Sequence, residues 1–436
     1  PCPRLNKNAP SSWDEKEPWP GVANIYKDPN PMTNDKTSAR EKHGKLIDAQ
    51  EDLREMLQSI EACGIFGIDL EFIPEKSYFP LICLVQVAVG ERVFLVDPIK
   101  VQNLDDLWRY VADPGYIKVL HAGSQDLAIV NQRSGFIPKR IFDTQIAAGF
   151  LGLGYPAGYG KLLHALFDLT LSKTESFTDW SLRPLTASQI DYAIDDALHL
   201  LPLYQALEER LKERGRLDWV LEECKLYEQE SYYQKETGRE FMRIKGAQGL
   251  SRRKLAVLQA ICLWRDQEAR RIDKPPRFVL SDNIILELAK KPPTTPGDIS
   301  RIRGIKDGQL SGYGKHIIRV VAEALALKEA DCPQWPAGRA PSKADVLIAD
   351  VLYTVLKVRS QEIEIAPELI ATRDELQRFV RQDKGQLEKE EEESALTSGW
   401  RHKLAGSELH AILSGAPLTV TVTSTSHNPI SIKLEN

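Results

Sequence analysis

A short apolar segment with two acidic residues limits the folds open to this chain more than any other feature. Residues 65–74 read IFGIDLEFIP, which is typical of a buried strand except for Asp69 and Glu71. Side chains two positions apart in a strand point to the same face, so these carboxylates would project together and repel each other. Burying an unpaired carboxylate costs several kcal/mol. The pair therefore needs either water, at an edge strand, or a positive partner, and this segment alone leaves both readings open.

Length and composition indicate a globular protein with several domains. A chain of 436 residues is too long for one core, and 42% hydrophobic with 27% charged residues is ordinary for such proteins. The six cysteines are scattered without a CxxC pair, which argues against a zinc site or a disulfide framework and favours a reducing compartment. No apolar run approaches the ~20 residues that a membrane-spanning helix needs. We therefore expect a cytoplasmic protein without membrane contact.

The pattern of residues changes along the chain. Residues 1–42 are rich in Pro, Asn, Lys and Asp and predict an extended or disordered lead-in. Residues 43–215 alternate apolar strands with amphipathic helices, which predicts a mixed sheet with helices on its faces. Within this domain, Ser124 and Asp143 are expected to cap the helices that they begin. The remaining segments are a linking helix at 216–239, a helical module at 240–330, a linker at 331–340, a second helical module at 341–418 and a tail of undetermined structure at 419–436.

The two helical modules contain an internal repeat. PRFVLSDNIILELA begins at Pro276 and PELIATRDELQRFV begins at Pro367, and the two segments align without a gap. Each has the proline, two apolar positions, an N-cap residue (Ser281 or Thr372) and then apolar residues three apart. An amphipathic helix precedes each copy, so we expect a duplicated helical module.

Polar residues on apolar elements recur at two further places. Asp126 lies in the first turn of the helix expected after the strand in IKVLHAG, and Tyr192 and Asp196, four residues apart on an apolar helix, share a face. Hard divalent cations such as Mg²⁺ and Mn²⁺ prefer oxygen ligands, and a pair of them can activate water for phosphodiester hydrolysis. Such cations would also neutralise the repulsion between Asp69 and Glu71.

In these motifs the chain resembles the ribonuclease D family of 3′–5′ exonucleases, whose signature is four acidic residues and a tyrosine. The resemblance covers residues 45–420, approximately, and rests on GIDLEF, HAGSQDL and YAIDDALHLLPLY. The helical repeats resemble the helicase-and-RNase-D C-terminal (HRDC) module. The resemblance implies a ribonuclease H-like α/β exonuclease domain followed by two all-α HRDC-like modules. It also implies that Asp69, Glu71, Asp126 and Asp196 hold the metals and that Tyr192 orients the attacking water.

The activity that this resemblance implies is removal of nucleotides from RNA 3′ ends. The enzyme would use two divalent ions, Mg²⁺ or Mn²⁺, to release nucleoside 5′-monophosphates from single-stranded RNA, with tRNA precursors as the expected substrates. We expect a monomer and, without a Walker loop in the sequence, no nucleotide cofactor. Two alternatives stay open, namely the same chemistry on DNA, as in proofreading domains, and a catalytically inactive RNA-binding scaffold.

Charge separates the two helical modules. Residues 240–328 contain 18 Lys and Arg against 9 Asp and Glu, a net charge of +9, whereas residues 341–418 contain 10 against 14, a net charge of −4. Only the first module has an excess of cations for phosphate contacts, unless this excess is merely a solvated face. We expect the second module to pack against the catalytic domain or to shape the cleft. The substrate-binding candidates, each with an ordinary structural role as the alternative, are His121, Gln86, Lys173, Arg252, Arg253, Lys254, Arg270, Arg271, Lys306 and Lys315.

Overall fold

The computed structural model describes residues 43–171, 178–234, 238–335, 342–387, 393–423 and 429–434. The lead-in at 1–42 and Lys173 therefore lie outside the described residues. Six strands form one sheet in the first domain: β1 Gly44–Ile47, β2 Ile65–Ile73, β3 Leu81–Val89, β4 Arg92–Val96, β5 Ile117–Leu120 and β6 Ile141–Asp143. Their order is β1-β4-β3-β2-β5-β6. Strand β3 is antiparallel to β2 and β4, and the other pairings are parallel, so the expected mixed sheet is confirmed.

Helices flank this sheet. They are α1 Leu53–Cys63, α2 Asp105–Ala112, α3 Ser124–Ser134, α4 Thr144–Gly149, α5 Tyr159–Phe167, α6 Ala187–Leu198, α7 Leu200–Glu213, α8 Leu217–Cys224 and α9 Glu230–Tyr233. The sequence pattern predicts one continuous helix through α6 and α7, but the chain breaks at His199 (φ −95°, ψ 2°). The break has a local cause, because Pro202 has no N–H to bond to the carbonyl of residue 198 and its ring would clash there.

The first helical module consists of α10 Arg252–Arg271, α11 Pro276–Val279, α12 Asp282–Lys290, α13 Pro296–Ser300 and α14 Asp307–Leu325. The second consists of α15 Lys343–Ile363, α16 Pro367–Ile370, α17 Arg373–Asp383, α18 Gly399–Arg401 and α19 Ser407–Leu413. In both modules a long helix precedes a one-turn helix that begins at a proline. One extended residue follows (Leu280 or Ala371), then an N-cap residue and a third helix. The backbone thus has the duplication that the sequence repeat predicts.

The two modules differ in how they join the catalytic domain. The first module has a hydrophobic core of its own. The second shares one continuous core with the sheet domain. At this junction the rings of Trp219 and Trp400 stack with their centroids 5.5 Å apart, and Arg401 makes a two-pronged ion pair with Glu223 at 2.6 Å. The expectation that the second module packs against the catalytic domain is confirmed.

The C-terminal tail, which the sequence left undetermined, forms a hairpin. Strands β7 Leu418–Val422 and β8 Ile430–Leu434 pair antiparallel, and Ile432 is buried against α15. Among the described residues, no helix is long and apolar enough to cross a membrane.

Candidate active site

Strand β2 presents Asp69 and Glu71 on the face that α6 and α7 cover. Gly67 shares this face, and a Cβ atom there would lie 3.0 Å from the Leu200 side chain, so the glycine allows α7 to approach the sheet. Asp69 is paired across the sheet with Gln86. The pairing of β2 with β3 is irregular immediately after Glu71. Such irregularities bend a strand and redirect its side chains, and here one occurs beside the second carboxylate.

Helix α6 brings the third carboxylate to β2. Thr186 begins this helix with a capping box to Gln189, which fixes its start relative to the sheet. The carboxylate oxygens of Asp69, Glu71 and Asp196 all lie within 4.8 Å of one another. In the part of the chain that the structure describes, no other group of three or more His, Cys, Asp or Glu side chains meets this criterion. A hard divalent cation fits three carboxylate oxygens at such spacing.

Tyr192 and Asp126 complete the expected set. The Tyr192 ring lies 6.0 Å from the ring of buried Trp180, and a hydrogen bond from its hydroxyl favours the ionised form of Asp196. Asp126 lies in the first turn of α3 and is outside the group of three carboxylates. Its charge nevertheless raises the pKa of both Asp69 and Glu71, which places it in the same cluster. The structure thus brings together all five residues that the motifs predict.

The four carboxylates have raised pKa values. Burial, followed by the charges of Asp126, Asp196 and Glu71, raises the pKa of Asp69 well above its ordinary value. Burial and then the charges of Asp196 and Asp126 raise the pKa of Glu71 to about 8. Burial is also the largest cause at Asp126 and Asp196, whose pKa values are about 7 and about 6. Ionising these buried acids together costs free energy unless cations neutralise their charges. The four residues therefore fit a divalent metal centre.

Asp143 holds the turn that leads to Asp126. This buried carboxylate caps α4 through the N–H of Gln145 at 2.9 Å, as the sequence predicts. It also accepts hydrogen bonds from the backbone N–H groups of Ala122 (3.0 Å) and Gly123 (3.1 Å), which sequence reasoning missed. Ala122 has a positive φ of 55°, so the turn needs such support. The expected Ser124 cap is wrong, because Gly123 is the N-cap residue and Ser124 is already helical.

His121 and Gln86 both lie inside the catalytic domain. Nδ1 of His121 is 2.9 Å from the Thr144 hydroxyl, and burial lowers the pKa of this histidine. Gln86 is fully buried, and neither atom of its carboxamide has a hydrogen-bond partner among the described residues. A buried unpaired amide is rare in proteins. This one is the cross-strand neighbour of Asp69. Contact of either residue with substrate stays a prediction.

Two of the basic candidates in the first module are engaged by the module itself. Arg252 donates to the carbonyl oxygen of Cys332 at 2.9 Å, and Arg253 donates to the carbonyl of Leu325 and to the carboxylate of Glu329. Both guanidinium groups thereby hold the end of the module against α10. Their contact with RNA stays a prediction.

The other basic candidates have varied surroundings. Arg271 forms an ion pair with Glu268 at 2.7 Å, and the Arg270 guanidinium lies over aromatic rings of the catalytic domain. Lys254 is half-buried, and Lys306 and Lys315 are exposed. Net charge therefore identifies the basic module but not the cations that are available to a ligand.

The loop after β2 attaches the first module to the catalytic domain. The Tyr78 hydroxyl donates to the Asp266 carboxylate at 2.9 Å, and the backbone N–H groups of Tyr78 and Phe79 donate to Asp273 at 3.0 and 3.1 Å. Arg270 lies 5.8 and 5.7 Å from the centroids of these two rings. Sequence reasoning missed this contact. The available signal was the pair of aromatic residues in the polar segment PEKSYFP.

A central β2 strand with two carboxylates, next to helices that supply two more and a tyrosine, is the arrangement of a metal-dependent 3′–5′ exonuclease. Comparison with known families agrees. A family model described as 3′-5′ exonuclease matches residues 45–212, and the model for the HRDC domain matches residues 254–321.

Individual relatives specify the family. Ribonuclease D of Granulibacter bethesdensis is 35% identical over 85% of this chain and 92% of that protein. Ribonuclease D of Gluconacetobacter diazotrophicus is 35% identical over 86% of this chain and 93% of that protein. The crystal structure of Escherichia coli RNase D matches with a TM-score of 0.75 and 28% identity, covering 86% of this chain and all of that one. The chain belongs to the ribonuclease D family of 3′–5′ exoribonucleases, and the resemblance in its motifs is confirmed.

Proposed function

We propose that this enzyme removes nucleotides one at a time from the 3′ ends of single-stranded RNA and releases nucleoside 5′-monophosphates. The observation that carries the proposal is the group of carboxylate oxygens from Asp69, Glu71 and Asp196 within 4.8 Å of one another. Together with Asp126, these residues would hold two divalent cations, Mg²⁺ or Mn²⁺. When bound, such ions lower the pKa of a water and stabilise the departing 3′ oxygen.

The protein's own groups have separate roles in this proposal. The charges of three acids raise the pKa of Asp69, which is more than at any of the other three carboxylates. Asp69 would therefore be shared between the two cation positions. Tyr192 would orient the attacking water through its hydroxyl, next to the carboxylate of Asp196. Asp126, held by the turn that Asp143 supports, would complete the second position.

RNA is the proposed substrate because of the relatives. Escherichia coli RNase D is described as an exoribonuclease involved in structured RNA processing, and it matches this chain over its whole length. We extend this substrate class to the present chain and propose tRNA precursors and other stable RNAs as the physiological substrates, with the enzyme acting as a cytoplasmic monomer.

The test compares matched RNA and DNA oligonucleotides of the same sequence, labelled at the 5′ end in one set and at the 3′ end in another, with Mg²⁺, with Mn²⁺ and with chelator. The expected result is a ladder of RNA products that shorten from the 3′ end, release of mononucleotides, and no reaction in chelator. Asp196→Asn should be inactive, while Asp191→Asn, on the same helix but outside the carboxylate cluster, should remain active. Faster degradation of DNA would assign the enzyme to DNA, and binding without hydrolysis in either metal would contradict catalysis.

A further inference from the structure

A groove runs between the loop after β2 and the first helical module. One cavity of about 580 Å³ is lined by Pro74 and Glu75 of the loop and by module residues that include Arg277. A second cavity of about 950 Å³ continues along the module to Gly304. Ser281 and Asn283 line both cavities, so the two form one groove, here called the interdomain groove, of which the second cavity is lined by the module alone. Pro74, where the groove begins, is three residues after Glu71, which at strand spacing is a distance of about 10 Å along the chain.

The groove presents cations that form no ion pair with acids of the module, although the charge of Lys291 contributes to lowering the pKa of Glu287. Arg277, Lys291 and Arg303 line it, and no carboxylate among the described residues forms an ion pair with any of them. Its acids, in contrast, mostly have partners. Asp282 pairs with Arg265 at 2.6 Å, Glu287 pairs with Lys290 at 2.8 Å, and Asp298 accepts the N–H groups of Thr294 and Thr295. Among the lining acids only Glu75 has no such partner in the described residues, so the available charge is mostly positive.

An exposed aromatic ring, Phe278, adjoins one of these cations, Arg277, and lies next to the groove without lining either cavity. Phe278 is 60% exposed, the largest exposed fraction of any aromatic side chain that the structure describes. The Arg277 guanidinium lies 5.6 Å from the centroid of its ring. Phe278 is held on the one-turn helix α11, whose next residues, Val279 and Leu280, are fully buried. A fixed, exposed ring beside a guanidinium without a carboxylate partner is the combination that proteins use to stack a base and contact its phosphates.

We propose that the interdomain groove binds the single-stranded RNA that precedes the 3′-terminal nucleotide. Phe278 stacks on one base, and Arg277, Lys291 and Arg303 contact phosphates. The inference rests on the proposed function, because it assumes that RNA occupies the active site. The contacts of Tyr78 with Asp266 keep the wall formed by the loop next to the module, so the groove stays continuous with β2.

The test measures RNA binding in an Asp69→Asn background, in which RNA is not cleaved. Phe278→Ala should weaken binding of an unstructured RNA of about 20 nucleotides by roughly 5- to 100-fold. The double variant Arg277→Glu/Arg303→Glu should weaken it at least as much and reduce the slope of log K against log salt by about 1.4, at about 0.7 per phosphate. The matched control is Arg319→Glu/Lys328→Glu, which makes the same charge change at exposed positions of the module outside the groove. It should leave binding nearly unchanged.

Kinetics of the catalytically active protein complete the test. A dinucleotide leaves only one nucleotide upstream of the scissile bond, too short to cross the distance of about 10 Å to the groove. Phe278→Ala and Arg277→Glu/Arg303→Glu should therefore hydrolyse it at the wild-type rate while they degrade the long RNA more slowly. Equal weakening by the control variant, unchanged binding by Phe278→Ala, or an equal loss on the dinucleotide would each overturn the groove assignment. A wild-type enzyme that leaves both the dinucleotide and the long RNA intact would instead refute the proposed function, whatever the binding results.

Discussion

The substitution Asp69→Asn should abolish hydrolysis and yet make the metal-free protein more stable. Burial and three neighbouring acids, Asp126, Asp196 and Glu71, raise the pKa of Asp69. An amide of the same shape needs neither ionisation nor protonation in this buried cluster, and it can donate hydrogen bonds to the remaining carboxylates. Activity should be lost because a neutral amide cannot replace a carboxylate shared between two cations.

The gain in stability should grow with pH. The pKa values of Glu71 and Asp196 in the folded protein are about 8 and about 6, above their ordinary values of 4.5 and 3.8. A raised pKa means that the folded state binds the proton more tightly, so this stabilisation is complete below about pH 4 and is lost as the pH rises through 6 to 8. If the substitution lowers the neighbouring pKa values by one to two units in total, the relief is about 1–3 kcal/mol. The unfolding temperature should then rise by roughly 2–4 °C per kcal/mol.

Thermal unfolding in chelator at pH 5 and pH 8 measures this effect. The metal-free wild type should be less stable at pH 8 than at pH 5, and Asp69→Asn should reduce that difference. Saturating Mg²⁺ should reverse the order, because a ligand at 100 times its Kd adds about 2.7 kcal/mol to the protein that binds it. Asp191→Asn removes a charge outside the cluster and should change neither profile. Substantial turnover by Asp69→Asn in Mg²⁺, or a metal-free variant less stable than wild type at pH 8, would refute the reasoning.

Three further substitutions test individual side chains. Tyr192→Phe should lower kcat by on the order of 100-fold at unchanged KM in steady-state assays, and a change confined to KM would make Tyr192 a binding residue. Gln86→Met should raise the unfolding temperature of metal-free protein by the equivalent of about 1 kcal/mol, because it removes a buried amide without partners, and a lower temperature would contradict this. Asp143→Asn should weaken Mg²⁺ binding in calorimetry, because an amide N–H₂ would face the backbone donors of Ala122 and Gly123, and unchanged affinity would limit Asp143 to capping.

The candidate active-site residues could be placed from the sequence because local periodicity determines the directions of their side chains. Asp69 and Glu71 share a face in any regular strand, and Tyr192 and Asp196 share one in any regular helix. Periodicity cannot show that the strand and the two helices meet. That expectation came from the resemblance of the three motifs to those of the ribonuclease D family. Strands β1 and β6, with four and three residues, are too short to give such a pattern and were missed.

Other features depend on contacts between distant residues, which composition does not reveal. The carboxylate of Asp143 supports a turn 20 residues earlier in the chain. Arg252 and Arg253 belong to a strongly basic module, but the carbonyl oxygens that engage them lie more than 70 residues away. A count of charges gives the sign of the module's field and cannot separate guanidinium groups engaged in folding from those, such as Arg277 and Arg303, that face a groove.

The contrast between the two helical modules follows from how each one meets the catalytic domain. At the second module, Leu369 lies so close to Gly149 that any side chain there would clash, and the two regions bury a common core. Such a junction cannot shift without repacking. The first module has its own core and meets the catalytic domain at the loop after β2, where the Tyr78 ring packs against that core and polar contacts join Tyr78 and Phe79 to Asp266 and Asp273. Polar contacts can exchange with water at small net cost. The fused module is therefore suited to holding the active site rigid, and the tethered module to the adjustment that the proposed RNA-binding groove would need.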